Sequence, residues 1–282
     1  MIDNGRLGDL EAVAREMRYH LITMMGADKP HHFGGSLSSV ELVTALYFYK
    51  MRYDPANPEW DGRDRFVMSK GHSVPTQYAA LAMLGVIPMV ELPNLKRLGS
   101  ILQGHPNACT TPGIEACTGS LGQGLSFANG IALAARIRGL PSRVYVLLGD
   151  GELQEGQVWE AAMGAATHGL DSLVALIDRN RLKSQGDVDE AKRLEPLEEK
   201  WRAFGWHVIG VDGHDLRQIC GALDEAEGVR ERPTVIIAQT VKGKGVPFME
   251  GQFQFHNAAI SQEQLQLAVE SVKASMGEET SA

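Results

Sequence analysis

The chain has 282 residues, 44% hydrophobic and 22% charged, which describes a globular protein with a sizeable core and excludes a disordered or fibrous one. Its 27 Lys and Arg against 35 Asp and Glu give a net charge of −8, and without a basic cluster no nucleic-acid surface is expected. No apolar run reaches the roughly 18 residues of a membrane span, the start MIDNGRLGDLE is not a leader, and Cys109, Cys117 and Cys220 form no C-x-x-C, so a reduced cytoplasmic protein with no membrane contact is expected.

In chain order, periodicity predicts helices over residues 10–25 and 38–50, the second with Leu42, Ala45, Leu46 and Tyr49 on one face. A helix starting near Gly122 repeats small residues every fourth position, at Gly122, Ser126, Gly130 and Ala134. That smooth face fits either the chain's own sheet or a second copy of the chain. Apolar runs at 144–148, 173–177, 206–211 and 234–238 read as strands buried on both faces of a parallel sheet, with helices over 157–168, 194–204 and 216–227 as crossovers. The fold class is therefore α/β, a mostly parallel sheet with helices on both faces. Residues 5–260 are taken as one domain and 261–282 as a C-terminal helix and tail. Ser261 to Gln264 reads as a capping box opening the helix, which runs to about Met276, and residues 277–282 are expected to fray.

The 31 glycines gather in clusters at residues 34–35, 119–124, 149–151 and 243–245, where backbone must approach something closely. Asp150, between Gly149 and Gly151, ends one predicted strand, and Asn180 follows the next, 30 positions on. Parallel pairing brings both to the same carboxyl edge, where ligands of such sheets bind. A carboxylate, an amide oxygen and a backbone carbonyl are hard donors suited to Mg²⁺ or Ca²⁺, and the glycines leave room for a diphosphate.

Gly-Asp-Gly followed about 30 residues later by Asn resembles the metal and diphosphate motif of thiamine diphosphate enzymes, and residues 149–160, GDGELQEGQVWE, resemble transketolases in particular. Residues 32–38 (HFGGSLS), 64–72 (DRFVMSKGH), 104–106 (GHP) with 118–124 (TGSLGQG), and 240–245 (TVKGKG) with His256 agree in order along nearly the whole chain. The resemblance implies a thiamine diphosphate-binding fold, with Asp150, Asn180 and the Leu182 carbonyl as metal ligands. It implies Lys70, His72, Gly119, Ser120, Leu121, Gly149, Gly151, Glu152, Glu155 and Lys242 around the cofactor. His32, His105 and His256 would surround the reacting carbon, donating hydrogen bonds to sugar hydroxyls and moving protons; His31 is an alternative to His32. Glu155 and Glu160 match acids that the family places between paired active sites, and Glu160 is grouped with the catalytic residues. His20, His168, His207 and His214 read as surface or core residues.

Two segments depart from the family pattern, RLKSQG at 181–186 and FHNAA at 255–259, both where a substrate tail would pass. The resemblance reaches the diphosphate-binding part of a transketolase and includes no pyrimidine-binding or C-terminal part. It thus implies the N-terminal subunit of a split transketolase, moving a two-carbon ketol unit from an anionic ketose, a sugar phosphate or a relative, to an aldose. A separate C-terminal subunit, together with a second copy of this chain, would complete an α2β2 heterotetramer. Alternatives are a 2-oxo acid dehydrogenase alpha-type subunit, which would lack the SKGH and GHP segments, and a non-catalytic regulatory subunit keeping the fold.

Overall fold

The computed structural model describes residues 2–277. Its strands are β1 (Arg65–Met68), β2 (Val144–Gly149), β3 (Leu173–Arg179), the short antiparallel pair β4 (Leu182–Lys183) and β5 (Gly186–Asp187), β6 (His207–Asp212) and β7 (Thr234–Gln239). Five of them pair in parallel in the order β1-β2-β3-β7-β6. The helices are α1 (Asn4–Met25), α2 (Phe33–Leu37), α3 (Val40–Ala45), α4 (Val74–Met83), α5 (Gly124–Ile137), α6 (Gly156–Thr167), α7 (Val188–Ala191), α8 (Leu197–Ala203), α9 (Leu216–Gly228) and α10 (Gln262–Met276).

Alternation along each strand divides the core in two. Tyr145, Leu147, Val174, Leu176 and Ile236 point to one face, under α1, α3, α4 and α9; Val144, Val146, Leu173, Ala175, Ile177 and Val235 point to the other, under α5, α6 and α8. Both sets are buried, so a slip of one residue would exchange them, and the register is correspondingly firm. On the second face Trp201 of α8 packs between Trp159 and Trp206, with ring centroids at 5.2 and 4.8 Å. Parallel pairing sets the carboxyl ends of all five strands on one edge, and the glycine-rich segments gather there.

Several expected boundaries move. The predicted helix 38–50 is α3 followed by a π-helical turn, Leu46–Lys50, closed by Met51 N–H on the Leu46 carbonyl at 2.8 Å. Tyr49 and Lys50 both reach Asp224 of α9, which favours the widened turn. The helix expected from 194 starts at Leu197, because Pro196 offers no N–H and biases Glu195 away from helix, while the Glu195 carboxylate accepts the Leu197 N–H at 2.9 Å. The strand expected at 206–211 is β6, an edge strand whose residues are mostly partly exposed, and not one buried on both faces. The helix expected near Gly122 begins at Gly124; Gly122 sits before it at φ 86°. β1 and α4 lie where no element was expected, and a continuous motif, SKGH, joins them.

The capping box at Ser261 and Gln264 is formed on both sides, and Gly277 ends α10 in the left-handed conformation. α10 lies along α1, with Ala268 and Val272 in the first core. Of the tail expected to fray, residues 278–282 lie outside the described residues. No helix among the described residues is long and apolar enough to cross a membrane.

Candidate active site

The carboxyl edge is organised around one buried ion pair. Lys70, two residues after β1, bonds through Nζ to Asp178 Oδ2 near the end of β3 and donates to the Gly35 carbonyl at 2.8 Å. Asp178 also accepts from Ser38 Oγ at 2.6 Å, from Asn180 Nδ2 at 3.0 Å and from the Thr240 hydroxyl. Burial opposes its charge, but the Lys70 ammonium and these donors outweigh burial and hold the carboxyl below the usual range. The pair thereby ties together the ends of β1, β3 and β7 and the loop after α2.

Asp150, after β2, is as buried but poorer in cations. Its Oδ1 accepts the Gly151 N–H at 2.7 Å; its Oδ2 accepts the Arg181 N–H and lies 3.3 Å from Arg179 Nη1. Arg179 also serves Asp189 at 2.7 Å and Glu195 at 3.0 Å. Burial, and then the Asp178 charge, push the Asp150 pKa up to about 6. A cation beside Asp150 would relieve that cost, and the neighbouring oxygens suit a hard one. Asn180 Oδ1 accepts the Leu182 N–H at 3.1 Å, and the Leu182 carbonyl accepts from Lys242 Nζ at 3.1 Å. Among the described residues no group of three or more His, Cys, Asp or Glu could hold a metal. A hard cation here would find one carboxylate, one amide and one carbonyl oxygen, and would take its remaining oxygens from a ligand or water.

A cavity opens over these groups, lined by Gly35, Gly149 and Gly151 and by Lys70, Lys183 and Lys242. Glycine walls and ammonium groups together fit a diphosphate. The close approach is visible at Gly34, where a Cβ would stand 2.8 Å from Lys242 Cγ. Burial, with Lys70 beside it, lowers Lys242 to about 8.

At the mouth four histidines converge. The His32 ring lies 5.0 Å from His72, 5.5 Å from His256 and 6.3 Å from His105, and His72 lies 5.1 Å from His256. His256 Nδ1 is 3.2 Å from Lys242 Nζ. Burial first, and then the neighbouring ammonium groups, pull His32 to about 4 and His256 to about 3, and lower His72 and His105. At neutral pH the rings are uncharged, each with one N–H to donate and one bare nitrogen to accept. His31 is buried, with its backbone bridged to Ala258 and its ring 6.1 Å from Phe33. The ring that faces the cluster is therefore that of His32.

The remaining expected residues fall in three places. Leu121, Glu152 and Glu155 line the cavity with Lys70, His72, Gly149, Asp150, Gly151, Asn180, Leu182, Lys242 and His256. Both Glu152 oxygens are already engaged, by Ser69 Oγ at 2.5 Å and Gly122 N–H at 2.9 Å on one and Gly149 N–H at 3.0 Å on the other, so it braces three loops. Gly119, at φ 139°, packs on His105, where a Cβ would be 2.7 Å from Cδ2. Ser120 is exposed beside it, and Glu160 lies on the exposed flank of α6, outside the cavity lining. Sequence reasoning passed over Asp178, Ser38 and Thr240, although Ser38 and Thr240 lie inside motifs that it singled out and Asp178 lies two residues before Asn180. It also passed over Lys96, whose Nζ donates to the Pro30 carbonyl at 2.8 Å and whose charge bears on His31, His32 and His105. Only its left-handed φ of 59° marks Lys96 out, and no sequence signal accompanies it.

Comparison with known proteins identifies the family of the chain. The family model described as transketolase, thiamine diphosphate binding domain, matches residues 11–280. The 6-deoxy-6-sulfo-D-fructose transketolase subunit SqwG of Clostridium sp. is 46% identical over 93% of this chain and 95% of its own length. An apulose-4-phosphate transketolase subunit of Phocaeicola vulgatus is 42% identical over 93% of each chain. Transketolase from Leishmania mexicana superposes with a TM-score of 0.88 at 32% identity, over 96% of this chain but 41% of that one. Neither alternative, a 2-oxo acid dehydrogenase subunit or a regulatory one, finds support among these relatives. The chain belongs to the transketolase family, as its thiamine diphosphate-binding part.

Proposed function

We propose that this chain is the diphosphate-binding subunit of a two-chain transketolase, transferring a two-carbon ketol unit from an anionic ketose to an aldose in the cytoplasm. The observation that carries the reading is the cluster of four uncharged imidazoles, two of which, His72 and His256, line a cavity that also holds Asp150, Asn180 and two buried lysines. Asp150, Asn180 and the Leu182 carbonyl would hold Mg²⁺ or Ca²⁺, while Lys70, Lys242, Gly151 and His72 would face the diphosphate. When bound, thiamine diphosphate supplies the electron sink for cleaving a carbon–carbon bond beside a carbonyl. His32, His105 and His256 donate hydrogen bonds to sugar hydroxyls, and a neutral ring whose bare nitrogen faces a hydroxyl accepts its proton and, as imidazolium, returns it. Burial first and then the Lys242 ammonium keep the His256 ring neutral, and with Lys242 Nζ donating to Nδ1 the ring proton sits on Nε2, from which it can be donated.

Two relatives of matching length are named as subunits, which supports a partner polypeptide here. The small-residue stripe supports a second copy of this chain. Ser126, Gly130 and Ala134 are exposed, nothing lies within 4 Å of a Cβ built on Gly130, and Phe127, Ile137 and Met163 stand open nearby. The stripe thus faces away from the chain's own sheet, whose side of α5 carries Leu125, Ala128 and Ala132. Exposed Glu155 and Glu160 lie at the start of α6, which packs beside α5, and would meet the second copy's site in an α2β2 assembly.

The test is reconstitution. The chain, mixed with the companion subunit, Mg²⁺ and thiamine diphosphate, is assayed for ketol transfer from 6-deoxy-6-sulfo-D-fructose and from fructose 6-phosphate to an aldose phosphate. Turnover only with both subunits present is the expected result, and full turnover by this chain alone would overturn the two-chain reading. Sedimentation of Gly130→Leu tests the self-contact, with loss of the dimer expected.

A further inference from the structure

We propose that Arg18, Glu41 and His214 form a clamp, buried at Arg18 and Glu41, that positions Lys242. Its catalytic consequence rests on the transketolase reading, whereas the clamp itself rests on geometry alone. Arg18 of α1 and Glu41 of α3 are each 7% exposed. Arg18 Nη2 donates to Glu41 Oε1 at 2.6 Å, and Glu41 Oε2 lies 3.0 Å from His214 Nδ1. The other His214 nitrogen, Nε2, accepts the Val241 N–H at 2.8 Å. Accepting there requires Nε2 to be bare, so the ring proton sits on Nδ1 and points to Glu41. One tautomer alone satisfies the chain from Arg18 to Val241.

The clamp grips the segment on both sides of Lys242. Val241 N–H is held by His214, and the Lys244 carbonyl accepts Arg18 Nε at 3.0 Å. At Gly245, φ 91°, a Cβ would stand 2.4 Å from Arg18 Cδ, so the Arg18 stem lies against the backbone. Between these points Gly243 N–H donates to the Gly34 carbonyl at 3.0 Å. The segment is neither strand nor helix, and these ties fix where the Lys242 stem leaves the backbone. Its ammonium is thereby delivered to the Leu182 carbonyl and His256. A buried ion pair seldom adds net stability over apolar packing of the same shape, and here its hydrogen bonds end on a loop next to the site, which is where a positioning role would put them.

Hydrogen exchange by mass spectrometry on the full chain reads the clamp without cofactor or activity. In His214→Phe, which keeps the ring shape and loses both bonds, the Val241 amide should exchange at least about tenfold faster, the ratio expected for one hydrogen bond. Amides of residues 234–239 should be unchanged. His214→Gln, whose side-chain oxygen can reach the Val241 N–H, should recover most of the protection. In the two-chain enzyme His214→Phe should lower kcat about tenfold or more with the sugar KM within about twofold, again with recovery by Gln. Should the Phe variant fail to fold, Glu41→Gln serves. Its amide N–H2 faces Nδ1, drives the ring proton to Nε2 and sets it against the Val241 N–H. Unchanged exchange at Val241 in the folded variant overturns the clamp. Faster exchange in a chain whose wild type shows no ketol transfer with its partner would keep the clamp and remove the function.

Discussion

Two buried carboxylates stand side by side on the carboxyl edge of the sheet, and they are treated in opposite ways. Asp178 has a lysine and three further donors and is held ionised, whereas Asp150 shares one arginine with two other acids and is pushed up to about 6. The first is complete as it stands. The second has its hydrogen bonds but only a shared arginine for a cation, and a bound metal would bring it a charge of its own. The contrast separates what builds the edge from what the edge is built to receive.

Breaking the complete half should have the larger effect. Lys70→Met leaves Asp178 buried without its cation and should cost about 3–5 kcal/mol of stability. Urea denaturation of the chain measures it, and a loss under about 1 kcal/mol would mean that the Ser38, Asn180 and Thr240 donors carry Asp178 alone. At the mouth, His32→Ala or His105→Ala should lower turnover of the two-chain enzyme by roughly 10²- to 10⁴-fold. Affinity for thiamine diphosphate should change far less, so kinetics beside a calorimetric titration decides whether these rings catalyse or only bind.

The incomplete half predicts a change of sign. Asp150→Asn removes a charge that burial disfavours, so the cofactor-free chain should be as stable as wild type or slightly more so. Binding of Mg²⁺ with thiamine diphosphate should weaken by at least about 100-fold, since even residues behind metal ligands are worth roughly 10- to 100-fold. Thermal melts with and without the two ligands test both signs together. A destabilised apo chain would show that Asp150 is a second structural acid like Asp178.

The sequence carried the two halves unequally. Strands at 144–148, 173–177 and 234–238 were legible because β2, β3 and β7 are buried on both faces and read as unbroken apolar runs. Asp150 and Asn180 were legible because parallel strands must bring their ends together. β1 was harder to see, since it is four residues long and opens with Arg65, whose charge is met by Glu115 from a distant loop at 2.8 Å. The role of Asp178 was invisible for a related reason. A short acid inside a strand looks like a strand end until Lys70, 108 positions away, is folded onto it. His31 and His32 could not be told apart by motif, because the choice between them is made by the bridge to Ala258.

The smallest effect should come from the histidines, through pH. His31 and His32, pulled to about 4, and His256, pulled to about 3, all have ordinary values near 6.5. Below pH 6.5 the unfolded chain takes up protons that the folded chain refuses until about pH 4, so stability is full above 6.5 and is lost as pH falls through that window. Asp150 works against this, because its pKa is raised from 3.8 to about 6 and folding gains as pH drops from 6. Five lowered imidazoles, His72 and His105 included, against two raised carboxyls, Asp150 and Glu152, leave a net loss on acidification, moderated because His32 and His256 are only partly buried. His32→Gln keeps a polar side chain and deletes one of the titrating groups. Denaturation midpoints from pH 7 to 4 should therefore fall less steeply in this variant, by up to about one proton in the slope. An unchanged slope would mean that the His32 ring takes its proton as readily folded as unfolded, and that the cluster at the mouth is not held neutral.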